Sequence, residues 1–442
     1  MALSGLDIYK ILPKTNCKEC GFATCLAFAM QLAKKTVSID KCPYLSPEAK
    51  KILEASAQPA IKLITIGSAD TKLEIGNETV MFRHEEKFLH PCGIGFIIED
   101  SDSDSAIKSK LEKINRLKFE RVGQSLDVNL IALRQNGAHS RFVSVLKLVL
   151  DLTPLPVILM TKDLAVLSES LALLKSNKPL VYHLDAKTVL DAAKLVKEYS
   201  AAMVALSSDL ETLSNLTKEL NGLGISDLVL DTGNKPLSEK IWDLTQIRRL
   251  ALKKSDRSLG YPSLAIVDRT DPYDEIMEAS TYISKYAGIV LIKGVAAWEA
   301  LSLLTLRQNI FTDPQKPLQI EPKVYPIGQA TDQSPVLVTT NFSLSYYTVL
   351  GEVEASKIPS FIISVDTEGM SVLTAWAAEK FTPAKITESI GKFDLTNLVK
   401  HKKIVIPGYV AVMSGDLEER SGWQVIVGPK EAAGLPSFLK NL

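Results

Sequence analysis

Residues 157–184 read VILMTKDLAVLSESLALLKSNKPLVYHL. Two runs in this stretch, Val157–Thr161 and Leu180–Leu184, are short, apolar and without polar alternation. An alternating strand has one wet face, whereas a continuous apolar run is a strand covered on both faces. Between the two runs, Asp163–Leu174 has the length and amphipathic pattern of a helix. Strand, helix and doubly covered strand make a parallel βαβ unit.

The same unit recurs on both sides. Strand-like runs fall at Gly95–Ile98, Val128–Ala132, Ala202–Leu206, Leu228–Asp231, Leu264–Asp268 and Ile289–Lys293. Helical patterns fall at Ala106–Leu117, Ser140–Leu150, Ala186–Tyr199, Asp209–Asn221, Ser238–Lys253, Pro272–Tyr286 and Ala296–Arg307. Eight or so repeats over about 250 residues fit a closed (β/α)8 TIM barrel. A doubly wound open sheet is the alternative, and repeat count and span favour the barrel. Two earlier runs, Leu63–Ile66 and Thr79–Phe82, read as a hairpin at the barrel opening.

The flanks differ from this core. Residues 1–57 hold a cysteine cluster and a helical pattern at Ala23–Lys35. A second helix begins at Ser46-Pro47-Glu48, with Ser46 as N-cap, and Gln58-Pro59 breaks the pattern. Residues 311–328 carry Pro314, Pro317, Pro322 and Pro326 and read as a linker. From 329 to 442 the alternation returns. Strands are expected at Val336–Thr340, Ser360–Asp366, Lys403–Ile406 and Gln424–Val427. Helices are expected at Ser343–Ala355, Met370–Lys380, Pro383–Phe393, Ala411–Arg420 and Lys430–Lys440. The expected fold class is α/β: a small N-terminal cluster domain (1–57), a central barrel (58–310) and a Rossmann-like open α/β domain (329–442).

Composition excludes several classes. With 51 basic and 51 acidic side chains the net charge is zero, so no long-range field draws the chain to nucleic acid or an acidic membrane. Hydrophobic residues at 46% and charged residues at 23% exclude disorder. No apolar stretch approaches the roughly 18–20 residues needed to span a bilayer. Met1–Ile11 contains Asp7 and Lys10 and is no signal segment. A cytoplasmic protein is expected.

Four of the five cysteines lie within residues 17–42, as Cys17-Lys-Glu-Cys20-Gly-Phe-Ala-Thr-Cys25 and Cys42-Pro43. The spacing is C-x2-C-x4-C-x16-C. Four thiolates suit zinc or an iron–sulfur cluster. Structural zinc usually pairs two tight knuckles, and only one is present, which favours a cubane. The Cys42-Pro43 pair resembles the Cys-Pro that ends bacterial ferredoxin motifs. Gly21 leaves room for backbone amides to approach cluster sulfurs. Cys92 stands alone and reads as a core thiol.

In the last domain, loops follow three strands. They are Thr339-Thr340-Asn341-Phe342-Ser343-Leu344-Ser345-Tyr346-Tyr347, Asp366-Thr367-Glu368-Gly369-Met370-Ser371-Val372-Leu373-Thr374 and Pro407-Gly408-Tyr409-Val410-Ala411, with Gly428-Pro429 ending the last strand. They are rich in hydroxyls and glycine and poor in charge. Such loops suit a large, amide-decorated ligand, although βα turns and helix caps favour the same residues. There is no P-loop, complete dinucleotide fingerprint or H-E-x-x-H. The histidines His84, His90, His139, His183 and His401 are scattered and read as structural. Asp231 and Asp268 sit at barrel strand ends, where catalysis is usual, but no base or nucleophile accompanies them. A structural or docking barrel is expected, with no independent active site.

These motifs together resemble the large (gamma) subunit of the corrinoid/iron–sulfur protein of the acetyl-CoA pathway. The resemblance runs the full length. Its most specific parts are Cys17–Cys25 with Cys42-Pro43, Thr339–Ser343, Asp366–Trp376 and Ile406–Ala411. It implies a 4Fe–4S cluster on Cys17, Cys20, Cys25 and Cys42. It also implies a corrinoid contacted by Thr339, Thr340, Asn341, Phe342, Ser343 and Tyr346, by Gly369, Met370, Ser371, Val372, Leu373 and Thr374, by Gly408, Tyr409, Val410 and Ala411, and by Gly428 and Pro429. The function implied is a methyl carrier in carbon fixation. Cobalt as Co(I) would take a methyl group from methyltetrahydrofolate on a methyltransferase and deliver it to acetyl-CoA synthase, with the cluster serving recovery of Co(II). The partners implied are a small barrel subunit (a heterodimer), that methyltransferase, CO dehydrogenase/acetyl-CoA synthase and a reductive activator. No D-x-H-x-x-G motif is present and His401 lies outside one, so a base-off corrinoid without a protein ligand to cobalt is expected. The first rival reading is an iron–sulfur electron-transfer subunit binding a flavin or nucleotide in its last domain; a barrel methyltransferase acting itself on a folate ranks last, because no acid–base constellation accompanies it. Three docking destinations imply hinges at 311–328 and near Gln58-Pro59.

Overall fold

A computed structural model describes residues 5–33, 36–57, 59–68, 71–175, 177–185, 187–315 and 317–442, the side chains of 51 and 54–57 apart. Lys34, Lys35, Gln58 and Ala186, at the edges of expected elements, lie outside the described residues. The chain divides into two compact units, residues 1–119 with 126–311 and residues 120–125 with 312–442. Among the described residues no helix is long and apolar enough to cross a membrane.

The first unit begins with α1 (Gly5–Ile11), α2 (Cys25–Ala33) and α3 (Pro47–Ala57). Ser46 Oγ accepts from Ala49 N–H at 3.0 Å, so the expected N-cap forms. Ile8, Leu12, Phe28, Ala29 and Leu53 make a small core of their own.

The hairpin that follows is β1 (Ile64–Ile66) against β2 (Leu73–Ile75), antiparallel. The expected strand at Thr79–Phe82 is not one. Its amides at Met81 and Phe82 turn to the Glu85 carboxylate instead of a neighbouring strand. The neighbouring Glu78 pairs with Arg248.

The barrel then runs β3 (Gly93–Glu99), α4 (Asp104–Asn115), the hairpin β4 (Lys118–Arg121) and β5 (Gln124–Asp127), β6 (Leu130–Arg134), α5 (His139–Leu152), β7 (Val157–Thr161), α6 (Leu164–Leu173), β8 (Leu180–His183), α7 (Val189–Glu198), β9 (Ala202–Leu206), α8 (Leu210–Gly222), β10 (Leu228–Asp231), α9 (Leu237–Lys254), β11 (Ser263–Ile266), α10 (Pro272–Ser284), β12 (Ala287–Ile292) and α11 (Ala297–Phe311). Strands β3 and β6–β12 close in chain order, all parallel, with Ile289 of β12 opposite Gly93 of β3. The closed barrel is therefore the correct alternative. Every residue of β7 is buried, as its continuous apolar pattern requires.

Asp163, Asp209 and Asp271 cap the helices that follow them. Gly95 faces the packed interior, where a Cβ would stand 2.1 Å from Leu130 Cδ1. The β4–β5 hairpin was not legible. Its turn uses Val122 at φ +54° before Gly123 at φ +70°, and a β-branched residue is the least expected occupant of that conformation.

Buried His183 ends β8, and its Nε2 pairs with Thr188 Oγ1 at 2.7 Å. Burial holds its imidazole below the ordinary histidine range, against the pull of Asp185. The unfolded chain then binds the proton more readily, so this stability is present above about pH 6.5 and is lost as pH falls below it. His183→Gln should lose less of its melting temperature between pH 7 and pH 5 than the parent. Equal losses in thermal scans would refute the assignment.

The second unit contains β13 (Val324–Ile327), β14 (Val336–Thr340), α12 (Ser343–Ser356), β15 (Ser360–Val365), α13 (Val372–Ala377), α14 (Pro383–Lys392), α15 (Leu395–Leu398), β16 (Lys403–Ile406), α16 (Ser414–Ser421), β17 (Gln424–Val427) and α17 (Leu435–Lys440). The sheet order is β13-β15-β14-β16-β17. All neighbours are parallel except β13, which runs antiparallel on the β15 edge. The expected linker 311–328 therefore ends in a strand, and Pro326 is tolerated there because the strand is an edge.

Val336, Val338, Ile363 and Ile406 pack under α14 and α16, while Leu337, Ile362 and Val405 pack under α12 and α17. Both faces are covered, as in an open doubly wound sheet. The expected helix 411–420 is shortened by a 3-10 turn at Gly408–Met413, and that at 430–440 is reduced to α17.

Candidate functional site

In the first unit, Cys25 is buried at the start of α2, Cys20 and Cys42 are partly buried, and Cys17 is exposed. The chain winds through left-handed backbone at Lys14, Asn16, Lys18 and Gly21. Gly21 N–H donates to Lys18 O at 2.9 Å. Asn16 locks the loop to the helix: its Oδ1 accepts from Cys25 N–H at 2.8 Å, and its own N–H points at Cys25 Sγ at 3.4 Å. Tyr44 O–H reaches Glu19 across the sequence gap at 2.7 Å. The Cys42 thiol is pushed up, first by burial and then by the nearby Cys20, Cys25 and Cys17. Cys25 belongs to the small N-terminal core, and Cys20 and Cys42 pack against that core. Among the described residues no three His, Cys, Asp or Glu side chains are gathered tightly enough to hold a single metal ion. Four soft sulfurs and an amide aimed at one of them fit the donor set of an iron–sulfur cluster.

In the second unit, β15 lies on one side of β14 and β16 on the other, so the strand order reverses between β14 and β16. Ligands on open α/β sheets bind in that crevice, at the carboxyl ends of the strands. A cavity of about 300 Å3 opens there. Its floor is Leu337, Val405 and Ile406, its walls are Phe342, Ser345, Val349 and Leu435, and Pro407, Gly428 and Pro429 close one side. Among the described residues, Lys430 is the one charged side chain lining it. Thr339 also lines it, and its buried hydroxyl has no partner, nor have those of Thr340 and Ser364 beside it. Buried hydroxyls are normally satisfied, and of these three only Thr339 lines the cavity, where a bound polar group can reach it. Leu344, Leu373, Trp376, Tyr409 and Val412 stand exposed around the same end. So apolar a rim marks a binding surface.

The family model for the CO dehydrogenase/acetyl-CoA synthase delta subunit matches residues 63–439. A second model, for an Fe-S cluster motif, matches residues 12–44. The corrinoid/iron-sulfur protein large subunit of Moorella thermoacetica is 45% identical over 441 residues, covering 100% of this chain and 99% of the relative. The chain belongs to the corrinoid/iron–sulfur protein large-subunit family. The acetyl-CoA decarbonylase/synthase complex subunit gamma of Methanothermobacter thermautotrophicus is 34% identical, covering 100% of this chain and 99% of the relative. Among solved structures, dihydropteroate synthase from Thermus thermophilus is similar over 56% of this chain and 99% of its own, with TM-score 0.41 and 16% identity.

For this family member the expected corrinoid residues divide. Thr339, Phe342, Val372, Tyr409, Gly428 and Pro429 line the cavity. Leu373 and Thr374 are exposed beside it, and Met370, Ser371 and Ala411 are partly covered. Thr340, Ser343, Gly369, Gly408 and Val410 are buried. Tyr346 is turned into the core, its ring 4.7 Å from that of Tyr325. Asn341 is buried and hydrogen-bonded through both its side chain and its backbone. Sequence reading placed Leu344 and Ser345 in the ligand loop without assigning them contacts, and missed Thr348, Val349, Lys430 and Leu435; all six line the cavity. The first four recur at helical spacing along one face of α12, a signal that was available.

At the carboxyl ends of the barrel strands the carboxylates are paired with cations of the same unit. Lys240 Nζ and Tyr182 O–H both reach the Asp231 carboxylate at 2.5 Å, all buried. Burial, then Asp231, drives the Tyr182 hydroxyl well above its ordinary range. Asp268 pairs with Lys293, which holds its carboxyl low, and lies 3.9 Å from Arg134. Arg134 also pairs with Glu99 at 3.2 Å.

Proposed function

We propose that this chain is a methyl carrier, holding a corrinoid at the carboxyl end of the C-terminal sheet and a 4Fe–4S cluster on Cys17, Cys20, Cys25 and Cys42. The observation that carries the reading is the apolar cavity at the strand-order reversal, with the unpartnered Thr339 hydroxyl in its wall and an exposed apolar rim. About 300 Å3 admits a side arm of such a ligand rather than its macrocycle. The exposed Leu344, Leu373, Trp376 and Tyr409 on the rim would then supply the apolar contacts to the ring. Thr339, Ser345 and the backbone at Gly428-Pro429 offer neutral hydrogen bonds to its amides.

The chemistry these groups supply when bound is methyl acceptance from methyltetrahydrofolate at cobalt as Co(I), delivery to acetyl-CoA synthase, and recovery of Co(II) with an electron from the cluster. His401, the one histidine after residue 312, stands just before β16, at the opposite end of the strand from the cavity. There its Nε2 meets Ser334 O at 2.8 Å and its Nδ1 accepts from Lys403 N–H. That supports a base-off corrinoid without a protein ligand to cobalt. The partners that go with this reading are a small barrel subunit, a methyltetrahydrofolate methyltransferase, CO dehydrogenase/acetyl-CoA synthase and a reductive activator.

Metal analysis and a visible spectrum of anaerobically purified protein test the reading. One cobalt and about four iron per chain are expected. Thr348→Trp, which fills the cavity from the surface of α12, should lower corrinoid uptake at least tenfold with the iron unchanged. Full iron with no cobalt uptake, and a flavin or nucleotide bound instead, would replace the carrier by an electron-transfer subunit.

A further inference from the structure

We infer that Asn341 is a positioning residue for the ligand site of the C-terminal sheet: it fastens the Asp366–Met370 loop to the end of β14 without touching the ligand. The inference rests on the corrinoid reading above for what the site holds, and on the hydrogen bonds themselves for what Asn341 does.

Asn341 follows β14 and is 1% exposed. Its Oδ1 accepts from Thr367 N–H at 2.9 Å, Thr367 O–H at 3.0 Å and Gly369 N–H at 3.0 Å. Its Nδ2 donates to Gln319 Oε1 at 3.3 Å and to Asp366 Oδ1 at 3.2 Å. Its own N–H donates to Val365 O at 2.8 Å, and its carbonyl accepts from Ile320 N–H at 3.0 Å. An asparagine amide has two donors and one acceptor oxygen, so nothing remains for a ligand.

The loop it holds needs holding. Glu368 and Gly369 are both left-handed, at φ +58° and +76°, and a glutamate in that region carries a steric cost. A Cβ on Gly369 would stand 2.6 Å from Gln319 Cγ, so the three segments are in close contact. The outer fastenings of the loop, Lys380 to Glu368 and Lys385 to Asp366 O, are exposed, and exposed pairs fix geometry weakly. Two residues beyond the loop, α13 begins at Val372, which lines the cavity, and Leu373 and Trp376 form part of the rim. One buried amide therefore sets where the rim of α13 stands relative to the loop after β14.

The test uses the full chain as parent, Asn341→Ala, Asn341→Asp, Thr367→Val and Val372→Ala. Hydroxocobalamin binding is followed by the visible spectrum and by induced circular dichroism, and amide exchange is measured without corrinoid. Asn341→Ala should speed exchange across 366–374 at least tenfold, leave 360–365 protected, weaken corrinoid binding at least tenfold and alter the induced signal. Asn341→Asp, which keeps the acceptor but sets a carboxylate against Asp366, should fall between. Val372→Ala should weaken binding without changing exchange. Unchanged exchange in Asn341→Ala, or faster exchange with parental affinity, would overturn the inference. If Asn341→Ala fails to fold, Asn341→Asp and Thr367→Val carry the same two readouts. A parent that takes no corrinoid while Asn341→Ala still frees the loop would sink the corrinoid reading and leave the fastening intact.

Discussion

Anaerobically prepared Cys42→Ala protein is expected to hold less than about one iron per chain where the parent holds about four. Cys42 is the only one of the four sulfurs supplied from beyond α2, and it packs with Cys20 against the small core that contains Cys25. A thiolate cluster that loses one of four ligands is open to solvent and oxidant at that corner. The effect extends to folding. The local core of Ile8, Leu12, Phe28, Ala29 and Leu53 is far below what a domain needs to fold alone. Ligand–metal bonds then supply folding free energy to this segment. Amide exchange should quicken throughout 5–57 in Cys42→Ala and stay slow in the barrel. Cys92→Ala is the control, because that thiol lies in the barrel core, where burial pushes it up to about 12. Full iron in Cys42→Ala, or iron loss in Cys92→Ala, would overturn the assignment of ligands.

Asp231→Ala should destabilise the barrel by about 3–5 kcal/mol, the usual effect of stranding one partner of a buried ion pair. The side chains of Lys240 and Asp231 are 3% and 2% exposed. Removing the carboxylate leaves the Lys240 ammonium with the Gly233 carbonyl alone and the Tyr182 hydroxyl facing a void. Replacing both charges, as Asp231→Leu with Lys240→Met, should recover most of the loss, because well-packed apolar pairs substitute for buried ion pairs at little net cost. Urea unfolding of the three proteins measures this directly. Methyl transfer by Asp231→Ala at a temperature where it remains folded should match the parent. A folded variant without methyl transfer would make Asp231 part of a barrel active site and overturn the structural reading of the mouth.

The barrel was legible because its strands carry the mark of burial on both faces. Val157–Thr161 and Leu180–His183 are as buried as their apolar runs require. Thr79–Phe82 has a similar composition and failed as a strand because its amides found a carboxylate, Glu85, three to four residues on. Val324–Ile327 was hidden by its proline, which an edge position tolerates. The loops at the ligand site were legible as loops, from hydroxyls and glycines after strands. Which of their side chains face the cavity was not. Tyr346 and Val349 lie three residues apart on α12, yet one is packed against Tyr325 and the other lines the cavity.

Sequence alone determined what depends on near neighbours and on residue chemistry: the clustering of four cysteines, the strand–helix period, the Ser46 cap and the hydroxyl- and glycine-rich C-terminal loops. Tertiary structure decided what depends on partners far along the chain. It closed β12 onto β3, set β15 and β16 on opposite sides of β14, brought Tyr182 to an aspartate 49 residues away, and buried Asn341 against a loop 26 residues on. The reason is physical. Local preference is written in each residue's own backbone and side chain, whereas burial and pairing are properties of a contact, and half of every such contact lies elsewhere in the chain.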